Sequence, residues 1–312
     1  MDRLLSMTVF RRVAELQSFS AAARELRLSN AAVSKHVAVL EDRLRARLLQ
    51  RTTRKVSLTA AGSAYLERSA RLLDELDELD QAAGQSASVP RGVLRVNAPA
   101  AFGVLHLAPL LPGVLAAHPE LSLDVSFTDR FVDLVEEGVD LVVRIATALP
   151  DSATLVAQRL AETTQCLVAT PGYLRRHGAP RTLAELARHE CIVHGSAAAP
   201  WRFLVDGKPR ALSVTGRLRV DNSLAIRDAV LAGVGITMIP MFYVHELVRT
   251  NQLRVVLPRV ARPPVWIHAV YPRQRHLSTK IRVFVEYLRT HLAAAPWAIT
   301  RAGRDATARA IR

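Results

Sequence analysis

Cysteine is nearly missing from this chain: Cys166 and Cys191 are the only two in 312 residues. Two thiols cannot build the disulfide framework of a small secreted fold, and a reducing compartment is the simpler setting. No uninterrupted apolar run of membrane-spanning length stands out. The opening stretch "MDRLLSMTVFRRVAELQ" mixes charge among its apolar positions, unlike a secretory leader, so a cytoplasmic protein without a membrane partner is expected. Signatures of catalysis are equally scarce. "HELVR" at His245 is half of a zinc-protease motif, with Arg249 standing where the second histidine belongs. There is no Walker loop and no Gly-x-Ser-x-Gly elbow, and "AGVGI" is too short for a dinucleotide fingerprint. His189, Cys191 and His194 are close in sequence, but strand alternation sends His194 to the side opposite the other two. Both cysteines lie in apolar contexts with no neighbour to stabilise a thiolate, and they read as small buried hydrophobes. No catalytic residue, metal or cofactor is assigned.

What the chain does have is apolar content for real cores and enough length for two or three compact units. It also has an uneven positive charge. Of the net +14, residues 1–60 hold +7, residues 61–90 hold −4, and the long remainder holds +11. A dense basic block beside an acidic segment is the pattern of a polyanion-binding module followed by something that avoids polyanions. A generally Arg-rich protein with ordinary solvated faces would give similar totals, so charge alone leaves the choice open.

The first stretch reads as three helices. One spans roughly Asp2 to Gln17, with Met7, Phe10, Val13 and Ala14 on one face. "QSFS" interrupts it, and Ser20 caps a second helix, "AAARELRL". Ser29 or Asn30 caps a third that runs to about Arg45. On that helix Val33, Val37, Leu40 and Leu44 form a narrow apolar stripe, while Ala31, Ser34, Lys35 and Ala38 lie opposite. Small side chains let a backbone approach another surface closely; Asn30 and Ser34 add hydrogen-bonding groups, and Lys35 adds charge. Two short helices with a tight turn and such a face read as helix-turn-helix, although an ordinary three-helix bundle shares the bare pattern. The following "RLLQRTTRKVSLTAAG" sets Arg51, Thr52, Thr53, Arg54 and Lys55 at the tip of two short β-prone pieces, the wing of a winged helix.

"FSAAARELRLSNAAVSKHVAVLEDRLRARLLQRTTRKVSLTAAG" resembles the N-terminal module of LysR-type transcriptional regulators, and the similarity continues through nearly the whole chain. The family often has Gln-Pro or Gln-Ser after the serine at position 29, where this chain has Asn30 and Ala31. The resemblance implies DNA contacts from Ser20, Ser29, Asn30, Ala31, Ala32, Ser34, Lys35, His36 and Arg51 to Lys55. The acidic segment then forms a long helix capped by Thr59. Tyr65, Ser69, Leu72, Leu76, Leu79 and Ala83 recur at spacings of four and three, a seam for another helix. The resemblance makes that seam a dimer interface, with a homotetramer as the further assembly. "GQSASVP", Gly84 to Pro90, reads as a hinge.

Beyond residue 91 apolar runs alternate with helical patterns, which gives α/β units on a parallel sheet. "VLRVNAP", "LSLDVSFTD" and "VDLVVRI" read as strands; a helix runs from about Phe102 to Ala117, and "FVDLVEEG" reads as a helix stopped by Gly138. A second set starts near Gln165 with "CLVAT", a helix after Pro171 and a capping box at Thr182 and Glu185, and continues with "CIVH", "RLRVDN", "SLAIRDAVLAG" and "GITMIP". "PVWIHAVYP" and "STKIRVFVEYLRTHL" are expected to rejoin the first set. "DRFVDLVEEGVDLVVRI", "LAGVGITMIP" and "AVYPRQRHLSTKIRVFVEYL" echo the family's effector domain, a two-lobed α/β fold like that of periplasmic binding proteins. The expected division is therefore a mostly α winged helix-turn-helix at 1–59, a dimerisation helix and hinge at 60–90, and an effector-binding domain at 91–295. Its first lobe takes about 91–162 and 266–295, its second about 163–265, and a basic, disordered tail fills 296–312.

Ligands of such folds sit between the lobes at the carboxyl ends of strands. That geometry nominates Ala98, Pro99, Ala100, Ala101 and Phe102, whose N–H groups open a helix and suit an anion. It also nominates Thr128, Arg144, His194, Ser196, Trp201 and Asn222, with Arg144 placed to take a carboxylate. A small carboxylate is the effector this set suggests. The partners implied are double-stranded DNA, that effector, further copies of the chain and RNA polymerase. A cytosolic two-lobed binding protein without specific DNA recognition is the alternative reading.

Overall fold

A computed structural model describes residues 2–51, 56–83, 89–134, 136–195, 200–273 and 277–299. The chain forms two compact units that divide between residues 88 and 89.

In the first unit α1 (Arg3–Leu16) starts where the Asp2 carboxylate accepts the Leu4 N–H at 2.9 Å and ends at Gln17, in the left-handed region. The cap of α2 (Phe19–Glu25) is Ser18, whose hydroxyl accepts from Ala21 N at 3.2 Å; Ser20, expected as the cap, sits inside the first turn. Ser29 caps α3 (Asn30–Leu44) by accepting from Ala32 N, and Arg45 ends it at φ 49°. Val33, Val37 and Leu40 of α3 are buried against Met7, Phe10, Val13, Ala22 and Ala23 of the other two helices, closing one small core. Strands β1 (Leu49–Arg51) and β2 (Val56–Leu58) pair antiparallel as the stem of a wing. The tip residues Thr52, Thr53, Arg54 and Lys55 lie outside the described residues, as does the hinge segment 84–88.

Helix α4 (Ala60–Ala83) follows, with the Thr59 hydroxyl accepting from Gly62 N at 2.9 Å and donating to the Arg47 carbonyl at 2.6 Å. A Cβ on Gly62 would lie 1.9 Å from the Leu48 carbonyl oxygen, so only glycine permits this crossing of helix and wing. The seam expected along α4 is divided. Tyr65 packs edge-on against Phe10 and Ser69 is 2% exposed, both within their own unit, whereas Leu72 and Leu76 remain open at 53% and 37%. Leu73, not on the expected seam, joins the core. The side chains of Leu79 and Ala83 are outside the described set. Asp74 forms an ion pair with Arg11 of α1 at 2.7 Å, tying the acidic helix to the helix-turn-helix.

The second unit has two five-stranded sheets. The first begins with β3 (Gly92–Ala98), which leads into α5 (Ala100–Phe102), a π turn, a 3-10 turn and α6 (Leu111–Ala117), then β4 (Leu121–Phe127), β5 (Leu141–Ala146) and β6 (Leu155–Thr163). The stretch Ala100–Ala117 is, against expectation, long and apolar enough to cross a membrane, by length and composition alone. Its Phe102, Leu107 and Val114 are fully buried in the core of this unit. The helix expected at residues 131–138 does not form. The Asp133 carboxylate accepts from Glu136 N, one turn closes, and Gly138 at φ 61° ends it, leaving Val132 and Leu134 packed on Val142. So short a segment gains too few backbone bonds to extend a helix.

The second sheet holds β7 (Gln165–Ala169), then, after α7 (Pro171–His177) and α8 (Leu183–Leu186), β8 (Cys191–His194). An antiparallel hairpin, β9 (Trp201–Val205) with β10 (Lys208–Leu212), precedes β11 (Leu218–Val220), α9 (Ser223–Leu231), β12 (Ile236–Pro240), α10 (Met241–Arg249) and β13 (Arg254–Val256). The chain then returns to the first sheet as β14 (Val265–Pro272) and α11 (Thr279–Ala293). The tail expected to be disordered from residue 296 is packed over residues 296–299, because Trp297 is buried in the core of this unit and Ile299 N donates to the Glu162 carbonyl at 2.9 Å. Strand order is β4-β3-β5-β14-β6 in one sheet and β11-β8-β12-β7-β13 in the other. Both sheets are mixed, not parallel throughout: β14 runs antiparallel to β5 and β6, and β7 antiparallel to β12 and β13. The reason lies at the crossings. The chain passes from β6 to β7 through Thr164 alone, and an antiparallel strand needs no crossover helix.

Candidate functional site

Two surfaces are candidates for function, one in each unit. On α3 the exposed row is Asn30, Ala31, Lys35 and Ala38, with Ser34 half-buried beside it. The row exists because Val33 and Val37 on the other side are wholly buried, which fixes the rotation of the helix. Ser29 is exposed, though its hydroxyl is engaged as the cap. Ala32 is half-buried. His36 does not belong to this face. It is 7% exposed, and its Nδ1 lies 3.0 Å from the Ser6 hydroxyl, which itself donates to the Asp2 carbonyl. Ser20 stands on α2, exposed, beside the Ser18 hydroxyl.

Glu41 connects this face to the wing, a role its sequence neighbourhood does not advertise. Its carboxylate accepts from Leu48 N at 2.8 Å, from Leu49 N at 3.1 Å and from the Arg47 guanidinium at 3.0 Å. Burial works to raise its pKa, but the two backbone N–H groups and the arginine outweigh burial and hold it below the ordinary carboxylate range. The turn from α3 into β1 is thereby pinned to the recognition helix.

In the second unit a cleft of about 470 Å³ opens between the two sheets. Pro99, His194 and Trp201, three of the nominated residues, line it. Ala98, Ala101 and Phe102 do not, being packed into the core, where Phe102 stacks edge-on against Phe242. The Thr128 hydroxyl instead accepts from Arg130 N, and the Asn222 side-chain Oδ1 caps α9 by accepting from Leu224 N and Ala225 N. Ser196 lies outside the described residues. Arg144 faces the wrong way for the expected role. Its guanidinium packs on Phe131 at 5.3 Å and reaches the Val132 carbonyl, and burial lowers its pKa. The cleft is reached instead from the next residues, Ile145, Ala146 and Thr147. Nor is the Ala100 N–H open to an anion: the carboxylate of Asp129 accepts from it at 3.1 Å.

Some of the other lining residues adjoin those the sequence nominates, Asp129 following Thr128 and Ser223 following Asn222, but most come from elsewhere, with Ile239 and Pro240 on β12 and Phe242 and Tyr243 on α10, which no sequence motif marks. Tyr243 carries a hydrogen bond to Ser223; burial first, and the charge of Asp129 after it, push its hydroxyl up to about 12. Next to Phe242, His106 Nε2 donates to the Phe242 carbonyl at 2.9 Å, its ring stands 5.3 Å from that of Trp297, and burial lowers its pKa. The histidine and cysteine cluster is dispersed: His189 meets the Tyr173 hydroxyl, Cys191 is buried, and only His194 opens onto the cleft. Cys166 and Cys191 sit in separate cores, where burial pushes each thiol up to about 12.

A winged helix-turn-helix with a small-residue recognition face, followed by a two-lobed α/β unit with a cleft at its strand ends, defines the class: a DNA-binding transcriptional regulator with a small-molecule-binding domain. Residues 4–63 match the bacterial regulatory helix-turn-helix protein model of the lysR family, and residues 87–293 match the LysR substrate binding domain. The chain belongs to the LysR family of transcriptional regulators. Its relatives are regulators, not enzymes. An uncharacterised HTH-type transcriptional regulator of Haemophilus influenzae is 35% identical over 283 residues, spanning 90% of this chain and 98% of its own. The HTH-type transcriptional regulator DmlR of Escherichia coli is 36% identical over 294 residues, spanning 93% and 94%. Among solved structures, CrgA, a LysR-type transcriptional regulator from Neisseria meningitidis, has 30% identity and a TM-score of 0.60, covering 92% of this chain and 98% of that one.

Proposed function

We propose that two copies of this chain bind a two-fold DNA site through α3 and the wing, and that a small molecule held in the interlobe cleft sets the regulatory outcome. The observation that carries the DNA reading is the exposed row Asn30, Ala31, Lys35 and Ala38 on a helix whose opposite side is locked into the core. Such a face lets the helix backbone sit deep in a major groove, with Asn30 and Ser34 at base edges and Lys35 at a phosphate. Ser29, Ala31 and Ala32 stand at the start of the helix, where the helix dipole favours phosphate although the Ala32 N–H is taken by the Ser29 cap. Arg51 to Lys55 supply the flanking contacts. The exposed Leu72 and Leu76 on α4 support pairing of two chains along that helix.

The test is salt dependence. Lys35→Ala should weaken binding to a fluorescent duplex, and the slope of log K against log salt should become shallower by about 0.9, one phosphate contact. An unchanged slope with unchanged affinity removes α3 from the interface.

A further inference from the structure

The cleft reading leaves open what chemistry the cleft accepts, and its lining is informative. Its walls are apolar and aromatic, with Pro99, Ile145, Trp201 and Phe242 among them. Its polar groups are Thr147, Gln165, His194, Ser223, Tyr243 and Asp129. Among the described lining residues there is no lysine or arginine, and Asp129 carries the one carboxylate. Arginines close in sequence to the lining are engaged elsewhere or point outward: Arg130, next to Asp129, pairs with Glu137, Arg144 packs on Phe131, Arg202 is exposed on β9, and Arg262 reaches the Val256 and Leu257 carbonyls.

Asp129 is exposed, and no salt bridge is formed by it among the described residues. One of its oxygens takes the Ala100 N–H, the donor that an incoming anion would use. A ligand carboxylate would therefore meet a like charge and find its backbone donor taken by a tethered competitor. A cation meets the opposite situation. It gains a carboxylate with no salt-bridge partner among the described residues at the edge of a largely apolar cleft, which Trp201 and Tyr243 also line.

Resting on the cleft as the effector site, we propose that the effector is a small cationic amine with an aromatic or aliphatic body, its ammonium received by Asp129, and that carboxylate effectors are excluded. The Asn side chain retains an acceptor for Ala100 N–H, so Asp129→Asn removes the charge while preserving the cap. Ala146→Trp places a bulky ring in the cleft from β5 and leaves the Asp129 charge in place.

The experiment is calorimetric titration of the full-length protein at neutral pH with matched probes: 2-phenylethylamine, 2-phenylethanol and phenylacetate, and their cyclohexyl analogues. Circular dichroism melting checks that each variant is folded. The amines should bind at least about tenfold tighter than the alcohols, with no binding of the carboxylates. Asp129→Asn should reduce the amine preference by about tenfold or more, and Ala146→Trp should abolish binding. Carboxylates binding as tightly as amines, amines unaffected by Asp129→Asn, or no amine binding up to about 10 mM would each overturn the ligand class. If any probe that binds does so equally to the Ala146→Trp protein, the cleft itself is not the site, and that reading falls separately.

Discussion

Glu41 shows how much of the DNA-binding unit depends on a single side chain. One buried carboxylate takes two backbone N–H groups and an arginine at the turn that sets the wing against α3. Removing its charge leaves those donors poorly satisfied, so Glu41→Gln should cost about 1–3 kcal/mol of stability, read by chemical denaturation of the N-terminal unit. The pH dependence has a definite sign. The folded carboxyl titrates below its ordinary value, so its stabilisation is complete above the unfolded pKa of about 4.3 and is lost as pH falls through the folded value. The Gln variant should lose that part of the acid sensitivity. Equal stability of the two proteins at neutral pH contradicts the role given to Glu41. The sequence offers "LEDRLRARLL" as an unremarkable charged helix end, because a carboxylate serving backbone donors seven and eight residues away leaves no spacing signal. His36 misled for a related reason: it lies next to Lys35, yet a helix turns by about 100° per residue, enough to carry it from the groove face to Ser6.

Elements were legible where a periodic pattern met a clear stop. The helices at 3–16, 30–44 and 279–293 and the strands at 92–98 and 236–240 follow their apolar spacing closely. Two kinds of element were not, and one side chain was assigned to the wrong face of a strand that was. β6 hides because its residues alternate poorly and its pairing with β14 is tertiary. The β9–β10 hairpin turns at Asp206 and Gly207, a clear turn pair, but its strands, with Pro209 in β10, show little apolar alternation. Arg144 was placed on the wrong side of β5, since one residue of register in a strand reverses every side chain; its neighbour Ile145 lines the cleft instead. Helix α4 divides its seam between its own unit and open surface, and this sets its prediction. Replacing exposed Leu72 and Leu76 together with Asp should convert an oligomer to a monomer in sedimentation analysis while leaving the melting of the unit nearly unchanged. A loss of folding without any change in assembly would assign these leucines to intrachain packing.

At the scale of the whole molecule the basic charge of residues 1–60 falls on the helix-turn-helix and wing, the acidic run falls on α4 of the same unit, and Asp129 carries the one carboxylate among the described residues lining the cleft. In the proposed reading the basic block supplies non-specific affinity for any duplex, whereas the α3 face supplies discrimination among base pairs. These two contributions are separable in one measurement. Full-length protein incubated with sheared genomic DNA from its source, at near-physiological salt, should retain a few sharply bounded sites that share an imperfect inverted repeat, and Lys35→Ala should weaken that retention. Diffuse, salt-sensitive retention without a common sequence, identical in wild type and variant, would contradict the claim that α3 reads DNA.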